Sequence, residues 1–385
     1  VKRHLCSAIK EDLQEKIVIL SGPRQVGKTT LSRELYQKHA YLNFDNKDHR
    51  LSLINRDWKR EGVELVVFDE IHKMPKWKSW LKGIYDVEGV RPRIIVTGSA
   101  RLDTFKKAGD SLAGRFFSYR LLPLTLKELK QLGEDSTTIK QLTTISGFPE
   151  PYLKGSERFY KRWRRSHLDI ILRQDLVDLE NVRDLSKIET LIELLRTRVG
   201  STVSYSSLAT DLECSHETVK KWLQHLENLF IIFTVSPWHK NIARSLLKES
   251  KYYFYDTAAV LGDDGARLEN FVALSLLREL YLLEDLEGEE CSLHFLRTKD
   301  GAEIDFGIAI NKKIKWLIEV KLQDSNPSPA FKFFLKYFER DKPQTVQLVG
   351  ILNAERDLPE GLKIRAATSW LRDIELKPAL DAGGG

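Results

Sequence analysis

Short, wholly apolar runs punctuate the first hundred residues: Ile17-Val-Ile-Leu20, Leu65-Val-Val-Phe68 and Ile94-Ile-Val96. None alternates with polar residues, so each reads as a strand buried on both faces, the signature of a parallel sheet. From Leu126 to about Leu195 the spacing is helical. From Ile188 the pattern predicts three short helices, 188–198, 206–212 and 215–230, with Glu213-Cys214 as a turn and Ser215 as N-cap of the third. In that third helix Val219, Trp222, Leu223 and Leu226 fall on an inward face, while His216, Lys220 and Lys221 fall on an exposed one. The apolar run 231–235 then supplies a wing strand, which completes a winged-helix plan suited to DNA. Further on, apolar-rich runs on either side of Asn311-Lys312-Lys313 predict an antiparallel hairpin. A turn centred on Lys312 sets Asp305 opposite Glu319 and Glu303 opposite Lys321.

The chemistry sits where the early strands end. The first apolar run is followed by Gly22-Pro23-Arg24-Gln25-Val26-Gly27-Lys28-Thr29, and Thr30 continues into a helical stretch. Strand, glycine loop and helix aim backbone N–H groups at a polyphosphate, with Lys28 reaching its β/γ oxygens and Thr29 offering a hydroxyl to Mg²⁺. ATP and Mg²⁺ are the cofactors this predicts. The second run ends in Asp69-Glu70, at the strand edge where ligands of open α/β sheets bind. Asp69 is expected to hold Mg²⁺ through water and Glu70 to orient and deprotonate the attacking water; a solvated strand end is the plainer alternative. Ser99, closing the third run, is a candidate γ-phosphate sensor. Arg115 is a candidate charge donor to the transferring phosphate, within the chain or from a neighbouring subunit.

In the hairpin, two acids meeting across strands repel unless a cation joins them. Asp305 and Glu319 therefore predict a Mg²⁺ or Mn²⁺ site, with Lys321 beside it to hold the attacking water or the scissile phosphate. The alternative is a Glu303–Lys321 ion pair on a solvated hairpin.

Composition narrows the field. The 385 residues carry 61 Lys and Arg against 55 Asp and Glu, a formal charge of +6. That mild excess suits a nucleic-acid partner without requiring one. Its densest patch, Arg158-Phe-Tyr-Lys-Arg-Trp-Arg-Arg165, sets Phe159 and Trp163 on one helical face and Arg158, Arg162 and Arg165 on another. No long apolar run or signal-peptide core is visible, so no membrane partner is expected and the location read from the sequence is cytoplasmic. Cys6, Cys214 and Cys291 lack metal-ligand spacing and read as buried small hydrophobes.

Taken together, Ser21–Thr29, Phe68-Asp-Glu-Ile71, Thr97-Gly-Ser99, Leu112-Ala-Gly-Arg115, Leu122–Glu128, Gly147-Phe-Pro-Glu150, Leu268-Glu-Asn-Phe271, Glu303-Ile-Asp-Phe306 and Ile318-Glu-Val-Lys321 resemble the prokaryotic AAA-type ATPases that carry a C-terminal domain of unknown function 4143. The hairpin also resembles the PD-(D/E)xK nucleases, in which an upstream helix often adds an acid; Glu269 fits that place. The resemblance implies an α/β chain in four parts. These are a P-loop AAA-type parallel sheet (1–124), a helical lid (125–187), a winged-helix segment (188–237) and a restriction-endonuclease-like α/β domain (238–380). The residues together lead to the expectation of a Mg²⁺-dependent ATPase that binds and processes or remodels DNA, a homo-oligomer being possible, with metal-dependent phosphodiester cleavage at a C-terminal site whose ligands are Glu269, Asp305 and Glu319. The alternative is a nucleotide switch with an inactive C-terminal module. Ser99-Ala100-Arg101 departs from the second serine that relatives often carry.

Overall fold

The structure, a computed structural model, describes residues 3–58, 62–98, 112–133, 137–176, 184–239 and 249–376. The chain divides into two compact units. The first is Val1–Pro123 with Phe148–Glu150 and Asn228–Phe230. Its strands β1 (Ile17–Ser21), β2 (His39–Asn43), β3 (Leu65–Asp69), β4 (Arg93–Thr97) and β5 (Phe116–Arg120) form one sheet of order β2-β3-β4-β1-β5. Every neighbouring pair is parallel. β1 and β3 are buried at each position, as their continuous apolar runs predict. β2 and β5 are the edges, and their mixed sequences, His-Ala-Tyr-Leu-Asn and Phe-Phe-Ser-Tyr-Arg, match their partial exposure. On one face Phe68 packs edge-on between Trp58 and Trp80, with ring centroids 5.4 Å from each. The strand order reverses beside β1, which opens a crevice at the C-terminal ends of β1 and β4.

The second unit holds Leu124–Gly147, Pro151–Glu227 and Ile231–Gly385. With the helix after the glycine loop (Lys28–Glu34) named α1, its helices include α2 (Glu157–Ile170), α3 (Leu185–Arg196), α4 (Tyr205–Asp211), α5 (His216–Asn228), α6 (Asp264–Leu282) and α7 (Ala330–Tyr337). Its strands are β6 (Thr202–Val203), β7 (Ile232–Pro237), β8 (Ser250–Phe254), β9 (Cys291–Arg297), β10 (Glu303–Ile310), β11 (Lys313–Gln323), β12 (Gln344–Ile351), β13 (Arg356–Asp357) and β14 (Leu362–Ala366).

Helices α3, α4 and α5 adjoin the antiparallel strands β6, β8 and β7 along the chain, an order compatible with the winged-helix expectation. The Ser215 hydroxyl caps α5 by accepting from the Thr218 N–H at 3.1 Å, and Val219, Trp222, Leu223 and Leu226 are buried. β9, β10 and β11 then run antiparallel, and β12 lies parallel to β11 after α7. β7 pairs in parallel with β9 through Ser236 and Pro237. One nine-stranded sheet, β13-β14-β12-β11-β10-β9-β7-β8-β6, therefore includes strands from either side of residue 237.

Three details differ from the pattern reading. The hairpin turn is Asn311-Lys312, both at positive φ, with Ile310 facing Lys313. A register shift between Ile308 and Ala309 then brings Phe306 opposite Ile318, the pairing that a Lys312-centred turn also gives. On α2 the inward face is Tyr160, Trp163 and His167, with Trp163 stacked on His167 at 4.4 Å; Phe159 is only half-buried. Arg158, Lys161, Arg162 and Arg165 are exposed. The three cysteines are half-buried rather than core, and none is disulfide-bonded. Among the described residues no helix is long and apolar enough to cross a membrane.

Candidate functional site

The glycine loop leaves β1 under tight steric control. Gly22 has φ +140°, and a Cβ there would lie 2.1 Å from the Leu121 carbonyl oxygen, so only glycine fits. Gly27, at φ +100°, is the N-cap of α1. Lys28 is buried, and its ammonium donates to the Gly22 and Pro23 carbonyls at 2.8 and 2.6 Å, so its charge is held inside the loop. Pro149 returns to this loop: its Cγ lies 3.9 Å from where a Cβ on Gly27 would stand.

At the end of β3, Asp69 gathers three hydroxyls. Thr29 donates to Oδ2 at 3.0 Å, Tyr41 to Oδ2 at 2.7 Å and Thr97 to Oδ1 at 2.6 Å. Burial and its contact with Asp69 push the Tyr41 phenol up to about 12, so it remains a donor. Arg33 of α1 lies 5.1 Å over the Tyr41 ring. The next residue, Glu70, adopts a left-handed φ of 56°, and its Oε2 is buried without a hydrogen-bond partner. His72 and Lys73 stand 3.5 and 3.7 Å from it, and Lys73 also pairs with Asp45 at 2.6 Å. Burial first, then the Asp69 charge, raises the Glu70 carboxyl above its ordinary range; Lys73, Arg24 and Lys28 oppose the rise.

The residues fit a Mg²⁺-nucleotide. Thr29 and Asp69 bring one hydroxyl and one carboxylate together beneath the loop, and Mg²⁺ characteristically takes one or two carboxylates plus substrate phosphates.

Arg115 lies at the other edge of the sheet. It precedes Phe116, which pairs with Ile17 at the start of β1, whereas the loop follows Ser21 at its end. A five-residue strand spans roughly 16 Å, so Arg115 does not reach the loop of its own subunit. Its guanidinium pairs with Asp86 at 2.6 Å. Ser99 lies outside the described residues.

In the second unit the expected carboxylates do converge, around a residue that the sequence reading missed. Lys251 of β8, 2% exposed, lies 2.7 Å from Glu303, 3.4 Å from Glu269 and 3.8 Å from Asp305. Tyr253 donates to Glu269 at 2.6 Å, and Gly200 leaves room for that carboxylate: a Cβ there would stand 2.7 Å from Oε2. Asp305 Oδ2 accepts from the Val320 N–H at 2.8 Å, and Glu319 Oε2 accepts from the Asp305 N–H at 3.3 Å. Lys321 pairs with Glu319 at 2.6 Å, two residues along its own strand. Glu303 turns to Lys251 and Arg297, so the Glu303–Lys321 cross-strand pair does not form. Burial, then Glu269 and Glu319, hold the Asp305 carboxyl well above its ordinary range. Burial alone would lower the Lys251 ammonium, but Glu269, Asp305 and Glu303 outweigh it and raise its pKa. Among the described residues no group of three or more His, Cys, Asp or Glu side chains is arranged to hold a metal ion.

Three family profiles match in succession: an AAA domain over residues 14–130, a domain of unknown function 8612 over 136–261 and a domain of unknown function 4143 over 264–370. The chain thus carries a match to an AAA domain in its N-terminal part and to a domain of unknown function 4143 in its C-terminal part. An uncharacterized protein of Mycobacterium tuberculosis is 27% identical over 321 residues, covering 81% of this chain and 71% of that one. An uncharacterized protein of Methanocaldococcus jannaschii is 25% identical over 375 residues, covering 87% and 82%. Among solved structures, the Holliday junction branch migration motor RuvB of Thermotoga maritima aligns with TM-score 0.31 at 19% identity, covering 59% of this chain and 85% of that one.

Within the AAA domain the sequence reading missed Tyr41 and Thr97, which share Asp69 with Thr29. Thr97 was visible as the polar end of an apolar run. Tyr41, on an edge strand of mixed sequence, carried no such signal. In the second unit Lys251 stands in Ser-Lys-Tyr-Tyr-Phe, where a lone lysine gives no hint of burial.

Proposed function

We propose that this chain is a Mg²⁺-dependent ATPase that binds and remodels DNA. The observation that carries the reading is the Lys28–Thr29–Asp69–Glu70 constellation at one sheet edge. Lys28, now held by loop carbonyls, would turn to the β/γ-phosphates, and Thr29 and Asp69 would hold Mg²⁺, which when bound supplies charge that offsets that developing on the phosphates. Glu70, whose buried Oε2 accepts no hydrogen bond, takes the proton of the attacking water. Arg115, directed away from its own loop, acts on the nucleotide of a neighbouring subunit in a homo-oligomer. The exposed face of α5 and the basic face of α2 support DNA as the partner.

The test is ATP turnover with and without single-stranded, duplex and four-way DNA, alongside DNA binding. Hydrolysis should rise with DNA, and Lys28→Ala should abolish nucleotide binding. Glu70→Gln should retain ATP while turnover falls about a hundredfold or more. Full hydrolysis in Lys28→Ala would remove the assigned site; no DNA association at low salt would remove the DNA part. A second reading, a nucleotide switch with an inactive C-terminal interaction module, is favoured by the lysine-filled carboxylate cluster. Tight nucleotide retention with turnover indifferent to DNA would select it.

A further inference from the structure

The carboxylates of the C-terminal cluster match the acids of a nuclease metal centre by position, yet their surroundings do not fit a divalent ion. Mg²⁺ or Mn²⁺ needs several oxygens drawn to within about 2.0–2.3 Å and free of competing cations. Here an almost fully buried ammonium, Lys251 Nζ, already stands among Glu303, Glu269 and Asp305 at 2.7, 3.4 and 3.8 Å. The remaining acid, Glu319, is engaged by Lys321 at 2.6 Å and by the Asp305 N–H. Asp305 Oδ2 is taken by the Val320 N–H.

Lys251 is also fixed in place. It stands where β8 pairs with Val235 of β7 on one side and Thr202 of β6 on the other, and its ammonium lies 5.4 Å over the Phe295 ring. A divalent ion entering this cluster meets a positive charge on a side chain that is almost fully buried. Two like charges inside a buried site repel strongly, and breaking a buried ion pair leaves the acids uncompensated.

We propose that Lys251 occupies the place of the divalent cation in this cluster, so that the C-terminal domain of this chain is a metal-independent, lysine-neutralised site that does not cut phosphodiesters. The cluster shares no residue with the ATPase site, so metal binding here is independent of hydrolysis there.

The experiment is titration of the nucleotide-free full-length chain with Mn²⁺, followed by calorimetry and by the paramagnetic signal of free Mn²⁺, in the wild type, Lys251→Met and the double variant Lys251→Met/Asp305→Asn. The wild type should show no Mn²⁺ binding that depends on Asp305. Lys251→Met should melt earlier in metal-free buffer. It should also gain Mn²⁺ affinity, at least about tenfold above the wild type, and recover its melting temperature with Mn²⁺. Both gains should vanish in the double variant. Wild-type Mn²⁺ binding that is lost in Asp305→Asn overturns the proposal. A folded Lys251→Met chain that gains no Mn²⁺ overturns it equally, because the lysine would then not be holding the metal's place. Should Lys251→Met not fold, Lys251→Gln takes its part, and the wild-type and Asp305→Asn titrations still decide whether the native cluster binds metal.

Discussion

At the scale of single residues, the nucleotide site depends on where side chains cannot go as much as on where they are. Gly22→Ala forces a Cβ onto the Leu121 carbonyl at a backbone angle that L-residues avoid. A loss of about 2–4 kcal/mol of stability is expected in denaturant melts, together with loss of ATP binding. Glu70 offers a subtler test. Its carboxyl is already raised by burial and Asp69, and Lys73 opposes the rise. A base must be ionised to work, so the acid-side fall in kcat should lie above the ordinary glutamate range. Lys73→Met removes a lowering charge and should move that fall to still higher pH. An unmoved profile would detach Glu70 from proton transfer. Lys28, Thr29, Asp69 and Glu70 were legible because a glycine loop and an acid pair each ended an apolar run. Tyr41 and Lys251 were not, because hydrogen bonding and burial of one residue on a mixed-sequence strand are decided by partners distant in sequence.

Elements carry a different kind of information. Glu227 near the end of α5 is buried enough to be pushed up to about 7, and it accepts from the Thr234 hydroxyl of β7. Its folded pKa exceeds the unfolded value, so the unfolded chain ionises first as pH rises. Stability should therefore fall by roughly 2–4 kcal/mol as pH climbs from about 4.5 to about 7, then level off. Glu227→Gln should flatten that slope and be the more stable form at pH 8, as read from melting temperature against pH. In the first unit the strands legible in advance, β1, β3 and β4, are interior ones with unbroken apolar runs. The edge strands β2 and β5, and β8 with its Ser-Lys start, were hidden because their burial depends on neighbours rather than on pattern. The hairpin at Asn311-Lys312 was legible in existence but not in its turn centre: a register shift restores the alignment that the turn alone would have offset.

On the scale of the whole molecule, the modest charge of +6 matters through its distribution. Lys161, Arg162 and Arg165 are exposed on α2, and replacing all three with Gln should flatten the log–log salt dependence of DNA affinity by about 2 to 3. Basal ATP turnover should be unchanged. An unaltered slope would move the DNA surface elsewhere. The glycine loop, the three-helix spacing and the carboxylate hairpin were each legible as local motifs. How β7 and β9 join the wing to the C-terminal strands was not, since a parallel pairing between strands more than fifty residues apart leaves no local trace.

Lys251 belongs to the segment matched by the domain of unknown function 8612, whereas Glu269, Glu303, Asp305 and Glu319 belong to the segment matched by the domain of unknown function 4143. The two segments are thus not interchangeable parts. A C-terminal segment recombined behind a different neighbour would inherit its acids without their counter-charge, and the same four carboxylates would either loosen the fold or acquire a metal. Whether such a domain is inert or reactive is written in the sequence that precedes it.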